Sequence, residues 1–259
     1  MGEDKKLEIE NLYKRFFVKG KEINILNNIN LTINQGEFIT IVGHSGCGKS
    51  TLLKIICGLE TLTEGSIKYG GKQLKGPDTT RGMVFQEHRL LPWLSIEENV
   101  GFGLFNYSKE EKEKLVNEHI DLVKLTEFKD AYPSQLSGGM SQRAAIARGL
   151  VNNPEILLLD EPFGALDALT RIQMQKEILK IWEKQKTTMI MVTHDIDEAI
   201  YLGERIIVLS SRPGEIKDII KVSQGVGRDR GSADFARIKK KIYKYFFEDE
   251  QEFLEDYVI

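Results

Sequence analysis

The sequence has few cysteines, no strong excess of charge of either sign and no long apolar run. Two cysteines, Cys47 and Cys57, occur among 259 residues, which excludes a disulfide framework and favours a reducing compartment. The 36 Lys and Arg residues against 39 Asp and Glu give a net charge of −3, so no general nucleic-acid-binding surface is expected. The charged N-terminal segment MGEDKKLEIE contains no apolar signal region, and no segment approaches the ~18 apolar residues that span a bilayer. We therefore expect a cytoplasmic protein that meets a membrane only through a partner.

Alternating strand and helix patterns follow each other along most of the chain. Apolar residues at odd positions from Ile23 to Ile33, after a turn at Gly20-Lys21, predict strands within the first 35 residues. Residues 38–42 (FITIV) predict a strand buried on both faces, and residues 49–57 predict a helix that ends at Gly58. Further buried strands are predicted at residues 156–160, 189–193 and 206–209. This alternation is typical of an α/β fold with a largely parallel sheet.

Two parts of the chain depart from this alternation. Residues 90–151 lack strand patterning, and two capping boxes, which begin at Ser95 and Ser108, start helices there. We interpret this block as a helical subdomain inserted into an α/β domain of residues 1–223. The tail, residues 224–259, predicts an amphipathic helix with its basic run (239–241) and its acidic run (248–250) in solvent. Its apolar face would consist of Phe235, Ile238, Ile242 and Phe246.

The segment GHSGCGKS at residues 43–50 matches the phosphate-loop pattern G-x-x-x-x-G-K-[ST]. It lies between a predicted strand and a predicted helix, which disfavours a chance glycine-rich turn. Backbone amides and the helix N-terminus would face phosphate oxygens, Lys49 would reach the β- and γ-phosphates, and Ser50 would coordinate Mg²⁺. The predicted phosphate-binding residues are Gly43, His44, Ser45, Gly46, Cys47, Gly48, Lys49, Ser50 and Thr51.

Two acidic residues end the buried strand predicted at residues 156–160. Asp160 would hold Mg²⁺ at the carboxyl edge of the sheet, and Glu161 would act as the general base toward water. The alternative is a strand that ends in ordinary solvated acids. The phosphate loop elsewhere in the chain favours the catalytic interpretation.

A second glycine-rich turn, LSGGM at residues 136–140, precedes a helix rich in small residues. Ser137, Gly138 and Gly139 would form another anion site at a helix N-terminus. A chain with two such turns either binds two phosphates at one site or uses the second turn to serve another subunit. The sequence pattern alone leaves both possibilities open.

These motifs, in this order, resemble those of the ABC transporter ATPases over about residues 7–215. Gln86 in MVFQ matches the Q-loop of that family, ALD at residues 165–167 the D-loop with Asp167, and His194 the switch histidine. Phe16 lies where the family places an aromatic ring on adenine. Taken singly, Gln86 is typical of a surface glutamine, His194 of a core or capping histidine, and Phe16 of a core aromatic, with Phe17 or Tyr13 as rivals.

The resemblance implies a P-loop NTPase (RecA-like) α/β core with an antiparallel β subdomain and an inserted helical subdomain. It implies ATP and Mg²⁺ as cofactors and a head-to-tail homodimer, in which the second turn of one chain completes the site of the other. Gln86 would sense Mg²⁺ or the γ-phosphate, and His194 would contact the γ-phosphate. The implied catalytic residues are Lys49, Gln86, Glu161 and His194, and the implied metal ligands are Ser50, Gln86 and Asp160.

Residues 86–94 and 211–214 resemble the importer branch that serves nitrate, sulfonate, taurine and similar solutes. In that branch residues 90–93 (LLPW) would receive a coupling helix of the transmembrane permease, although they are as typical of subdomain core. Ser141 stands where the branch usually has Arg. The resemblance therefore implies a peripheral subunit on the cytoplasmic face of the membrane, with a solute-binding protein as an indirect partner.

Other classes of ABC protein share these motifs. A soluble DNA-repair ATPase would carry a coiled-coil arm or a zinc module, but residues 86–137 are too short for the arm and contain no cysteine pair. A translation factor would have two fused ATPase halves, and an exporter subunit remains an alternative. An inactive regulatory subunit is disfavoured by the intact set of Lys49, Ser50, Asp160, Glu161 and His194.

Overall fold

Ten β-strands and seven α-helices make up the part of the chain that the computed structural model describes, residues 5–164, 166–223 and 228–255. The strands are β1 (Lys6–Val18), β2 (Lys21–Asn34), β3 (Phe38–Val42), β4 (Glu64–Tyr69), β5 (Lys72–Gln73), β6 (Arg81–Val84), β7 (Ile156–Asp160), β8 (Thr188–Val192), β9 (Arg205–Leu209) and β10 (Ile216–Lys221). The helices are α1 (Lys49–Cys57), α2 (Ile96–Val100), α3 (Lys109–Leu122), α4 (Gly138–Leu150), α5 (Ala168–Gln185), α6 (Ile196–Leu202) and α7 (Ala233–Glu255). The chain divides into two compact units, residues 1–77 with 190–259 and residues 78–189.

An antiparallel sheet of order β2-β1-β4-β5 lies in the first unit. The predicted alternation is confirmed, because Ile25, Ile29, Leu31 and Ile33 are all buried. The β1–β2 hairpin turns at residues 19–20, both with positive φ, as a tight turn between right-twisted strands requires. Lys21 already begins β2, so the turn predicted at residues 20–21 was placed one residue too late.

Four strands of the second sheet lie side by side in the order β10-β9-β3-β8. Strand β3 pairs in parallel with β9, and all five of its residues are buried, as its unbroken apolar sequence predicts. The phosphate loop follows the carboxyl end of β3, and α1 begins at Lys49 directly after it. The predicted strand-loop-helix order around residues 43–50 is confirmed.

Helices dominate the second unit. Strands β6 and β7 pair in parallel, and residues 85–155 between them, all described, contain no strand. Both predicted capping boxes are present, since the Ser95 and Ser108 side chains accept hydrogen bonds from the amides of Glu98 and Glu111. The predicted helical block, residues 90–151, lies inside this unit.

The C-terminal helix α7 belongs to the first unit. Phe235, Ile238 and Ile242 are buried in a cluster with Ala199 and Ile200 of α6 and with strand residues. The predicted start of the tail at Gln224 and the side chains of the acidic run 248–250 lie outside the described residues. Among the helices that are described, none is both long and apolar enough to span a bilayer.

Gly58 ends α1 and provides a test of how tightly that helix is fixed. Its φ is +81°, and a Cβ added there would lie 2.1 Å from the Gly76 carbonyl oxygen. Gly20 has a similar φ of +77° with nothing within 4 Å of an added Cβ, so it serves as the matched control. We expect Gly20→Ala to cost about 1 kcal/mol of unfolding free energy and Gly58→Ala about 3 kcal/mol, measured by chemical denaturation. Equal costs for the two variants would contradict the close approach at Gly58.

Candidate active site

The side chain of Lys49 is buried inside the phosphate loop. Lys49 is 6% exposed, and its Nζ donates to the carbonyl oxygens of Gly43 at 2.7 Å and His44 at 2.8 Å. Gly46 and Gly48 have φ of +78° and +102°, conformations that an L side chain rarely adopts, so these glycines allow the chain to curl. An ammonium group beside the N-terminus of a helix, here α1, is a site for phosphate oxygens.

Neighbouring segments of the chain pack closely against the phosphate loop. A Cβ added at Gly48 would lie 2.6 Å from Leu26 Cδ2, and one at Gly214 would lie 2.2 Å from the Cys47 carbonyl oxygen. Gly214 also donates its amide to the Ile25 carbonyl at 2.8 Å. Sequence reasoning used Gly214 only as part of an importer pattern and missed this support role. The glycines in these segments were the only sequence signal of close packing, and a glycine does not reveal which other segment lies against it.

The two cysteines are structural. Cys47 is buried within the loop, and burial raises the pKa of its thiol, which disfavours the reactive thiolate. Cys57 is buried on α1, as predicted. Neither cysteine forms a disulfide bond.

His194 lies in the loop between β8 and α6, in the same unit as the phosphate loop. Buried Thr193 donates its hydroxyl to Glu198 Oε2 at 2.7 Å, and the Asp195 carboxylate accepts the amides of residues 197 and 198 at the start of α6. These bonds fix the backbone on both sides of His194, whose side chain is exposed. Sequence reasoning missed these supporting residues. His194 lines one groove of about 580 Å³ with Gly43, His44 and Ser45.

Phe16 is half-buried on β1 and pairs with Ile23 of β2. The Nζ of Lys14 lies 4.5 Å from the Phe16 ring centroid and is paired with Glu60 at 2.9 Å. Phe17 is 74% exposed. Adenine stacking on Phe16 stays a prediction.

In the second unit the structure brings Gln86 and Glu161 together. Strand β7 ends at Asp160, which is 8% exposed, and Glu161 follows with φ of +45°. This left-handed conformation is costly for a residue with a side chain, by about 1–3 kcal/mol, and such strain is typical of functional positions. Gln86 Nε2 donates to Glu161 Oε2 at 3.4 Å. The predicted base and the predicted Q-loop glutamine therefore lie within contact of each other.

The second glycine-rich turn begins α4 as predicted. Ser137 is the N-cap, and its hydroxyl accepts the Met140 amide at 3.3 Å. Ser137 and Gly138 are exposed, whereas Gly139 is buried and has no room for a Cβ, which would lie 2.7 Å from Thr170 Cγ2. An exposed helix N-terminus of this kind presents amide hydrogens to an anion outside the unit.

Asp167 has a capping role at the start of α5. Its carboxylate accepts the amides of Leu169 and Thr170 at 3.1 Å each. Hydrogen bonds from Thr170 hold the pKa of the Asp167 carboxyl below its usual range. Ala165, the first residue of the predicted D-loop, lies outside the described residues, and contact of Asp167 with nucleotide stays a prediction.

Side chains from two helices hold the segment after Gln86. The carbonyls of His88 and Arg89 accept hydrogen bonds from Arg148 of α4 at 2.9 and 2.7 Å, and the His88 ring Nδ1 lies 2.6 Å from Gln142 Oε1. Buried Asn99 of α2 donates to the carbonyls of residues 91, 94 and 95. The helix that begins at the glycine-rich turn thus contacts the segment that follows the Q-loop.

Trp93 in this segment is 69% exposed, which contradicts the alternative that it is subdomain core. Next to the segment is a groove of about 690 Å³, whose lining includes Leu94 and the exposed rings of Phe102 and Phe105. We define this aromatic groove by Leu94, Phe102 and Phe105. Sequence reasoning placed the apolar surface on residues 90–93 alone and missed both phenylalanines, because the exposure of a side chain is set by the folded unit and not by local spacing.

Comparison with known proteins agrees with the motif set. A family model described as ABC transporter matches residues 26–164. An uncharacterised ABC transporter ATP-binding protein of Methanocaldococcus jannaschii is 52% identical over 92% of this chain and 90% of its own length. The aliphatic sulfonates import ATP-binding proteins SsuB of Bacillus cereus and Bacillus subtilis are each 48% identical, over 93% and 90% of this chain and 95% and 91% of their own lengths.

Solved structures of the ATP-binding cassette MJ0796 share the fold. Its dimeric post-hydrolysis state, bound to ADP and Pi, has a TM-score of 0.74 and 38% identity over 84% of this chain and 99% of that chain. A second dimeric structure of the same cassette has a TM-score of 0.75 and 39% identity. The expected P-loop NTPase α/β fold is confirmed. The chain belongs to the ABC transporter ATP-binding family and is an ATP-hydrolysing cassette.

Proposed function

We propose that this chain is the ATPase subunit of an ABC importer and drives uptake of an aliphatic sulfonate or a closely related small solute. The close likeness to sulfonate-import ATPases over more than nine-tenths of the chain supports the solute class. The exposed Trp93 beside the aromatic groove supports a separate membrane partner. A transmembrane permease would dock there and would hold this chain at the cytoplasmic face of the membrane. A solute-binding protein would deliver the solute to that permease.

Two copies would act together. The exposed turn at Ser137 and Gly138 and the phosphate loop would each donate backbone amide hydrogens to an anion. In a head-to-tail dimer, the γ-phosphate of each ATP would accept hydrogen bonds from the phosphate loop of one chain and from the turn of the other. Dimeric structures of a related cassette support dimerisation. Release of the phosphate after hydrolysis would then loosen the dimer, because the group that both chains bind is gone.

Each residue of the proposed site would have a separate role in ATP binding or hydrolysis. Glu161 would accept a proton from the attacking water as that oxygen bonds the γ-phosphorus, while the bond to the β–γ bridging oxygen breaks and ADP leaves. Lys49 would stabilise charge on the phosphates, and His194 would orient the water and the γ-phosphate. Phe16 would stack on adenine.

Ser50, Gln86 and Asp160 supply the oxygen atoms that Mg²⁺ prefers, so the residues present fit this ion. Bound Mg²⁺ would neutralise charge on the β- and γ-phosphates. Asp160 is the end residue of β7 and is almost fully buried, which would hold its carboxylate in one orientation.

Glu161→Gln tests the assignment of the base. We expect ATP turnover to fall by about 10²- to 10⁴-fold, because the amide cannot accept the proton, while ATP binding persists. Phosphate release and nucleotide titration measure the two quantities. Glu127→Gln, an exposed acid in the same unit, should retain wild-type turnover. If Glu161→Gln hydrolyses ATP at the wild-type rate, another group is the base.

Trp93→Glu tests the permease surface. We expect wild-type ATP binding but a loss of solute-stimulated ATPase activity in proteoliposomes with the permease, because a buried charge at the interface would be unpaired. Phe128→Glu, which replaces another exposed ring of the unit, should have no such effect. Unchanged stimulation in the Trp93 variant would mean that the permease docks elsewhere.

Deletion of the gene tests the solute class. Cells that lack this chain should lose uptake of labelled ethanesulfonate and should recover it with the wild-type chain but not with Lys49→Ala. Sulfate uptake in the same cells is the control. Normal ethanesulfonate uptake in the deletion strain would argue against sulfonate import and leave ATP hydrolysis by the chain untouched.

A further inference from the structure

Helix α7 contacts the phosphate loop directly. The Phe246 ring meets the His44 ring edge to face, with centroids 4.8 Å apart and ring planes at 82°. His44 is the second residue of the loop. A side chain near the C-terminal end of the chain therefore packs on the segment that binds phosphate.

His44 connects this ring contact to Lys49. The His44 carbonyl accepts from Lys49 Nζ at 2.8 Å and from the Cys47 amide at 3.3 Å. The ring contact restricts the side-chain rotamers of His44, and the carbonyl of this same residue is one of the two that hold the lysine inside the loop. Phe246 is thus one contact away from the group that positions Lys49.

The helix is anchored well enough to act as a support. Phe235, Ile238 and Ile242 are buried in the core of the first unit. Lys239 pairs with Asp197 near the start of α6 at 2.7 Å, and this carboxylate raises the pKa of the lysine. Lys241 pairs with Asp218 of β10 at 2.6 Å. Burial of its apolar side chains and two ion pairs thus fix the orientation of α7 relative to the phosphate loop.

This support is separate from the part of the chain that matches the ABC transporter family model, which ends at residue 164. Phe246, Tyr243 and Phe247 line the groove that also contains Ser45 and His194, so the aromatic face of α7 borders the space beside the loop. Phe247 stacks on Tyr243, with ring centroids 6.0 Å apart, and is 59% exposed. Two adjacent phenylalanines on one helix thus have different contacts.

We propose that Phe246 is a positioning residue for ATP binding. Its ring, through His44, holds the phosphate loop in the geometry that places Lys49 for the phosphates. The residue does not touch the nucleotide and takes no part in bond cleavage. The proposal rests on ATP hydrolysis by the chain, and it concerns binding of ATP rather than the hydrolytic step, because a preorganised loop lowers the cost of binding.

Steady-state ATPase kinetics of the full-length chain test this. We expect Phe246→Ala to raise the KM for ATP roughly three- to tenfold with little change in kcat, the size expected for loss of one aromatic pair. Titration with a fluorescent ADP analogue should show the same loss of affinity. Phe246→Tyr keeps the ring and should restore the wild-type KM. Phe128→Ala removes an exposed ring that does not line this groove and should leave the KM unchanged.

A double-mutant cycle identifies the route. In a His44→Ala background, Phe246→Ala should raise the KM no further, because the contact through which it acts is already lost. A further rise of the same size in that background would overturn the proposed route. Equal KM values for Phe246→Ala and Phe128→Ala would overturn the proposal, as would a fall in kcat and thermal stability at unchanged KM. If the wild-type chain fails to hydrolyse ATP, the assigned function fails instead, and the ADP titration still decides the role of Phe246.

Discussion

The buried ammonium group of Lys49 is the constraint on which the rest of the site depends. A cation with 6% exposure is tolerated only where oxygen atoms surround it, and the carbonyls of Gly43 and His44 supply two of them. Both carbonyls belong to the loop itself, so the loop must keep one shape. The buried strand β3 fixes where the loop begins, and α1 fixes where it ends. The result is a positive charge beside the N-terminus of α1, which favours an anion.

The second unit contributes a different kind of group. Glu161 is held in a left-handed conformation directly after a buried strand, and Gln86 contacts its carboxylate. Backbone strain of this kind is typical of functional positions. In the same unit, α4 begins with the exposed turn that is proposed to bind an anion, and its Arg148 contacts the segment that leads to Trp93. One helix thus connects this turn to the segment that carries the surface proposed for the permease.

Local rules predicted the parts of the fold that depend on neighbours in sequence. The buried strand at residues 38–42, the helix at residues 49–57 with its Gly58 end, and both capping boxes follow from spacing and side-chain chemistry within a few residues. Long-range contacts were out of reach. The approach of Gly214 to the loop and the contact of Phe246 with His44 join residues more than 160 positions apart, and neither leaves a periodic pattern. Phe102 and Phe105 were missed for the same reason, since exposure is set by the folded unit.

Disulfide crosslinking tests most directly whether one ATP is enclosed by two chains. Ser45→Cys is placed in one tagged chain and Ser137→Cys in another, each with Glu161→Gln, and the mixture is oxidised with and without Mg-ATP. The account predicts a crosslinked heterodimer that forms only when both introduced cysteines, at positions 45 and 137, and the nucleotide are present. Absence of this product, together with an internal disulfide in a monomer that carries both substitutions, would contradict it.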